Sequence, residues 1–142
     1  MKFKYRKTSL PSPFSKKQIL LRPIIPISLK SAGTALRYEA LIDSGADFYI
    51  FPIEIGKKLG LDINRLSKIY FTSATGDLVE GKKAEVKLDI GDGKFSSQII
   101  FADLENSVGI LGQYGFFNLF VIKFDLQKED IEINQKFKKI IK

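Results

Sequence analysis

Apolar and polar residues alternate along this chain in short runs, mostly at the period of two that sends successive side chains to opposite faces of a β-strand. Ile24 to Leu29 is apolar and β-branched, Ser31, Ala32 and Gly33 supply a turn, and Tyr38 to Ile42 resumes a strand, which predicts a β-hairpin. Phe48, Ile50 and Phe51 predict a further strand that Pro52 ends. Glu54 to Leu61 carries the one early helical pattern, about two turns long, with Gly60 as its stop. From Ile69 the pattern is β again, interrupted by a turn at Gly76-Asp77. Ala84 to Ile90 alternates strictly, and Gly91-Asp92-Gly93 makes a tight turn into Phe95 to Phe101. Residues 102 to 109 read as a loop, and Gly109 and Gly112 bracket the apolar pair Ile110-Leu111. Gly115 to Phe120 predicts a short helix leading into a strand over Val121 to Phe124, and Ile131 to Ile133 predicts a last strand. Many short strands with frequent turns and little helix predict a mostly β domain, barrel or sandwich.

At 142 residues the chain fits one domain with a single core. Residues 1–18, with Pro11 and Pro13, read as a flexible basic arm, 19–135 as the folded domain, and 136–142 as a basic tail. The formal charge of +7 is unevenly placed: residues 1–22 and 136–142 hold 11 of the 23 Lys and Arg and none of the 16 Asp and Glu. The body is therefore acidic, and the basic ends read as solvated termini, with nucleic acid not expected as a partner and an anionic contact the other reading. No apolar stretch approaches the ~18 residues that cross a bilayer, and the N-terminus lacks a signal-peptide pattern, so the expected location is the cytoplasm. Phe137, Ile140 and Ile141 fall at helical spacing among lysines, which reads as a frayed tail or a short surface anchor.

Composition narrows the chemistry. The chain has no cysteine and no histidine, which excludes a Ser-His-Asp triad, a Cys-His nucleophile, a Cys/His zinc site and disulfides. There is no P-loop, dinucleotide fingerprint or EF-hand spacing, and no Ser-x-x-Lys motif supports a Ser-Lys hydrolase. Asp43-Ser44-Gly45-Ala46 is the best remaining candidate, because an acid closing the buried run Ala40-Leu41-Ile42 is costly to desolvate unless something uses it. An ordinary Asx or Ser turn has the same composition.

A second motif changes that balance. Gly109-Ile110-Leu111-Gly112-Gln113-Tyr114-Gly115-Phe116-Phe117 follows the first at the spacing and order in which a strand-terminal Asp-Ser/Thr-Gly-Ala precedes a hydrophobic-hydrophobic-Gly element and a Gly-Phe-Phe helix. Together they resemble the retropepsin-like aspartic proteases, the bacterial single-domain members especially, over roughly Arg22 to Gln135. The resemblance implies a closed acid-protease β-barrel with one or two short helices, acting as a homodimer on a peptide or protein substrate with no metal or cofactor. It makes Asp43 the catalytic aspartate, Ser44 the hydroxyl bracing two active-site loops, and Gly45 part of the catalytic turn. With Gly45, Ala46 falls where the loop lies beside substrate, Asp47 at a position that in retroviral relatives hydrogen-bonds the substrate backbone, Ile110 in the element under that loop, and Thr75 and Gly76 at the tip of the flap. Arg22-Pro23 resembles an arginine-proline pair that reaches across some retroviral dimers, and Ile131 to Ile133 falls where chain ends pair with the partner's terminal strands. Phe116-Phe117 reads as core.

Two residues depart from the family pattern. Gln113 stands where an arginine usually follows the glycine, so no ion pair from there to Asp47 can form and the loop must be braced otherwise, and Tyr114 replaces a common acid. In this family two carboxylates share one proton, and a single Asp-Ser-Gly implies that the second comes from another copy of the chain. The implied activity is aspartic endopeptidase. The alternatives are a catalytically silent dimerisation or peptide-binding module with the same fold, and a nucleic-acid-associated protein using its basic ends.

Overall fold

The computed structural model describes residues 1–9, 13, 16, 19–73, 75–104 and 108–136. The expected hairpin forms from β4 (Ile24–Ser31) and β5 (Thr34–Ile42), after three short strands β1 (Lys2–Lys4), β2 (Arg6–Thr8) and β3 (Leu20–Arg22). The strand β6 (Ile50–Pro52) leads into the helix α1 (Ile53–Lys58), which ends at Leu59 and Gly60. Its C-terminus is a Schellman arrangement: Gly60 N–H donates to Lys57 O and Leu61 N–H to Gly56 O. The strands β7 (Ser67–Thr72) and β8 (Leu78–Ile90) form a second hairpin, and β9 (Gly93–Ala102) returns along β8. The short strand β10 (Gly109–Leu111), a helical turn over 113–117, and the hairpin of β11 (Phe120–Asp125) and β12 (Asp130–Gln135) complete the order.

Seven strands make one sheet in the order β4-β5-β10-β6-β9-β8-β7, and β4 also pairs with β8, with Leu29 opposite Leu88. That pairing closes the sheet into a mostly β barrel, leaving β7 and the distal half of β8 as a projecting hairpin. The alternation predicted for 84–90 sends Val86, Leu88 and Ile90 inside, with Glu85 and Lys87 exposed. Ile25, Leu29, Tyr49, Phe51, Phe101, Leu111 and Phe116 fill the centre with them. A core this rich in large apolar side chains supplies the main driving force for folding. Phe116 is fully buried, as a core residue should be.

Residues 1–8 differ from the expected arm. Lys2–Lys4 pairs antiparallel with Asp130–Glu132, and Arg6–Thr8 pairs with Leu20–Arg22. The reason is a period-two pattern that the lysines obscure: Met1, Phe3 and Tyr5 lie on one face and pack on the core, while Lys2, Lys4 and Arg6 face outward. Ion pairs from Lys4 to Asp130 and from Arg6 to Glu39 join these strands to the acidic body. The rest of the expected arm lies mostly outside the described residues, and Phe137, Ile140 and Ile141 lie outside them too.

The C-terminal strand also differs. Both edges of β12 are occupied within the same chain, by β1 on one side and β11 on the other, so Ile131 to Ile133 has no free edge to offer a partner. Among the described residues no helix is long and apolar enough to cross a membrane.

Candidate active site

Asp43 follows the last residue of β5, where the parallel pairing of β5 with β10 sets Ile42 beside Leu111. The Asp43 N–H donates to Leu111 O at 3.0 Å, so the acid is held by the end of the neighbouring strand as well as by its own. Its carboxylate Oδ1 accepts from Gly45 N–H at 2.9 Å, and Asp43 O accepts from Ala46 N–H at 3.1 Å. These bonds curl residues 43–46 into a tight loop with Asp43 half-buried and Ser44 exposed. A side chain at Gly45 would crowd Asp43 Oδ1 at 3.2 Å, which explains the small residue there.

The stretch 112–114 braces that loop from the far side. Gln113 Nε2 donates to Ser44 O at 2.6 Å, Gln113 N–H to Ala46 O at 2.8 Å, and Tyr114 N–H to Asp47 O at 2.7 Å. The bracing that the missing arginine leaves open is thus done by the Gln113 amide and two backbone donors. Gly112 is required by approach: a Cβ there would sit 2.6 Å from both Phe48 N and Phe48 O and 2.7 Å from Ala46 O. The expected helix differs in detail. Tyr114 and Gly115 have non-helical backbone angles, with Gly115 at φ 108°, and the Tyr49 ring fills the space a side chain at 115 would need, so only glycine fits there. Tyr49 Oη donates to Gly115 O at 2.8 Å, and burial holds its phenol pKa well above the usual value. The Phe48 and Tyr114 rings lie 6.0 Å apart beside the loop.

A cleft of about 520 Å³ opens over Asp43. Asp43, Gly45, Ala46, Asp47, Thr75 and Ile110 line it, whereas Ser44 and Gly76 do not. Its roof is the β7–β8 hairpin. The tip is closed by Ser73 N–H donating to Asp77 O at 2.8 Å and by hydroxyl contacts of Thr75 with Ser73 at 2.9 Å and Asp77 at 3.2 Å. Gly76 forms the turn at φ 89°. Arg22 ends β3, opposite Arg6, and is not among the lining residues.

Sequence reasoning missed Ile50, Phe71, Thr72, Ser73, Val79, Asp103 and Leu104 as residues that line the cleft. Phe71 and Val79 were accessible through the alternation of the hairpin, since Tyr70 and Leu78 on its other face are exposed. Asp103 carries the same signal as Asp43: it is an acid that closes a buried apolar run, Ile99 to Ala102. The described lining holds three carboxylates and no lysine or arginine.

The closed, mostly β barrel with its projecting hairpin has a retropepsin-like fold, as its likeness to solved structures shows. The chain superposes on a retropepsin-like aspartic protease from Rickettsia conorii with a TM-score of 0.56 at 17% identity, covering 79% of this chain and 92% of that one. It superposes on EIAV protease complexed with the inhibitor HBY-793 with a TM-score of 0.51 at 20% identity, covering 73% of this chain and 88% of that one. No family model and no curated protein sequence matches the chain.

Proposed function

We propose that this chain is an aspartic endopeptidase that works as a homodimer, with Asp43 of each copy forming one dyad. The observation that carries this reading is the placement of the Asp43 carboxylate, held at the end of a buried strand and lining a cleft large enough for an extended peptide segment. Two carboxylates about 3 Å apart cannot both ionise, so the pair shares a proton. The ionised one takes a proton from water as the water oxygen bonds to the scissile carbonyl carbon, and the protonated one donates to the carbonyl oxygen. Collapse of the tetrahedral intermediate breaks the C–N bond, and the departing amine takes a proton. The scheme draws only on carboxylates and water.

The other site residues have supporting roles in this reading. Ser44 and Gly45 shape the catalytic loop. Ala46, Asp47 and Ile110 bound the peptide, and the hairpin tip at Thr75 and Gly76 closes over it, with Gly76 allowing the turn. Likeness of fold to named proteases supports the reaction class.

The test is incubation of the protein with an unfolded protein substrate across about pH 4 to 7, where such dyads change protonation, beside Asp43→Asn. Cleavage by the wild type and none by the variant is expected. Cleavage retained in Asp43→Asn would remove Asp43 from the mechanism, and no cleavage by the wild type at any pH would favour the silent module.

A further inference from the structure

The strand β9 is buried from Ile99 to Ala102 and pairs with β6 up to Pro52, and the next residue, where the chain leaves the sheet, is the exposed acid Asp103. Asp103 lines the cleft over Asp43, and among the described residues its carboxylate has neither a hydrogen bond nor an ion pair. Acids elsewhere, such as Glu39, Asp89 and Asp130, take a Lys or Arg partner. The surface around Asp103 is apolar. Leu104, its neighbour in the chain, joins Ile50, Phe71, Val79 and Ile110 in a hydrophobic cluster separate from the barrel core, and all five line the cleft. Phe71 and Val79 sit opposite each other in the projecting hairpin, so this apolar wall continues from the barrel onto the roof.

We infer that this part of the cleft is a subsite for a lysine or arginine side chain of the bound peptide, with Asp103 as the residue that selects it. This deepens the proposed function and rests on it in taking the cleft as the place where a peptide lies. An apolar wall that ends at an unpaired carboxylate matches one kind of side chain, a methylene stem that covers the wall and a cation that meets the acid. A purely apolar side chain would cover the wall but strip water from Asp103 without giving it a partner, and an acidic one would meet it with like charge. In the proposed function Asp43 belongs to the dyad and Asp47 to the loop along the peptide backbone, which leaves Asp103, on another strand, for a side chain. No lysine or arginine of the described lining competes for it, and the neutral Gln113 brace adds no cation nearby. The net charge of +7 acts in the opposite sense, since the field of the whole chain favours acidic peptides. A preference for lysine at one peptide position therefore has to come from groups within the cleft.

Peptide binding to the full chain carrying Asp43→Asn, which removes turnover, tests this by fluorescence anisotropy. The probes are short labelled peptides of serine, threonine and valine in which a single lysine, norleucine or glutamate is moved through every position. At one position lysine is expected to bind about fivefold tighter than norleucine, with glutamate weaker still. Adding Asp103→Asn should erase the advantage of lysine over norleucine, Asp103→Lys should turn the preference towards glutamate, and Asp47→Asn should leave the lysine preference in place. Asp103 is exposed, so its variants should fold, which circular dichroism checks. No position favouring lysine, an equal advantage at every position, or an advantage that survives Asp103→Asn overturns the inference. Hydrolysis of the same peptides by the wild type separates the two readings. A position-specific lysine preference without hydrolysis supports the subsite while refuting the protease reading, and hydrolysis without that preference does the reverse.

Discussion

The Gln113 side-chain amide donates to the Ser44 carbonyl at 2.6 Å, tying the loop that carries Asp43 to a residue 69 positions later in the chain. Neutral amide bracing differs from the ion pair of the arginine form because, among the described residues of the cleft lining, it leaves the Asp47 carboxylate without a cationic neighbour. Gln113→Ala is expected to lower cleavage about tenfold, the equivalent of one hydrogen bond, with little change in the unfolding midpoint because the amide is exposed. Steady-state kinetics beside urea unfolding checks this, and an unchanged kcat/KM would show that the bond does not position the loop.

Gly112→Ala should be far more damaging. The new Cβ would press on Phe48 and Ala46 backbone atoms, which cannot rotate aside as a side chain would. A loss of about 2 to 3 kcal/mol in stability, with loss of cleavage, is expected from overpacking of this kind. Chemical denaturation measures the first and a peptide assay the second.

Tyr49 couples the core to the same loop region. Tyr49→Phe keeps the ring but leaves Gly115 O without its donor, a cost of about 1 kcal/mol. The phenol is also an alkaline determinant. Its folded pKa is raised, so the stabilisation is fully present below about pH 10 and is lost as pH climbs towards the folded value, because the unfolded chain ionises first. Denaturant midpoints measured across that range should fall in the wild type and fall less in Tyr49→Phe.

Acid stability has a separate origin at Asp89. Lys30 Nζ lies 2.7 Å from its carboxylate and Lys94 Nζ 3.5 Å, and the hydrogen bond with Lys30 lowers the Asp89 pKa. A lowered carboxylate pKa stabilises the fold above about pH 4 and loses that effect as pH falls through the folded value. With the lysines largely in solvent, Asp89→Asn is expected to cost about 0.5 to 1 kcal/mol at neutral pH and almost nothing at about pH 2. Thermal melts at the two pH values decide it.

The two strongest sequence patterns map directly onto structure. Strict alternation over 84–90 became the inward Val86, Leu88 and Ile90 of β8, and the turn residues at 31–33 and 91–93 became hairpin connections. Asp43 was legible because an acid after a buried run is an anomaly at any length of inspection, and Asp103 was legible in the same way but stands alone, without a neighbouring motif to draw attention to it. Met1, Phe3 and Tyr5 were obscured by the lysines between them, although their alternation is that of a strand. Gln113 was visible only as a departure from a pattern; its function as the loop's brace depends on where Ser44 lies in space.

Local chemistry, then, was determined by the sequence alone: the absence of histidine and cysteine, the turn positions, the facing of each strand, and the acid at the end of β5. Those properties depend on residue type and on neighbours within a few positions. Tertiary structure decided which strand edges are taken and, among the described residues, which remain open. Whether β12 or β11 is free to meet another chain depends on Met1 reaching Ile133 and on β11 folding back over β12, contacts between distant segments whose pairing energy no short window of sequence contains.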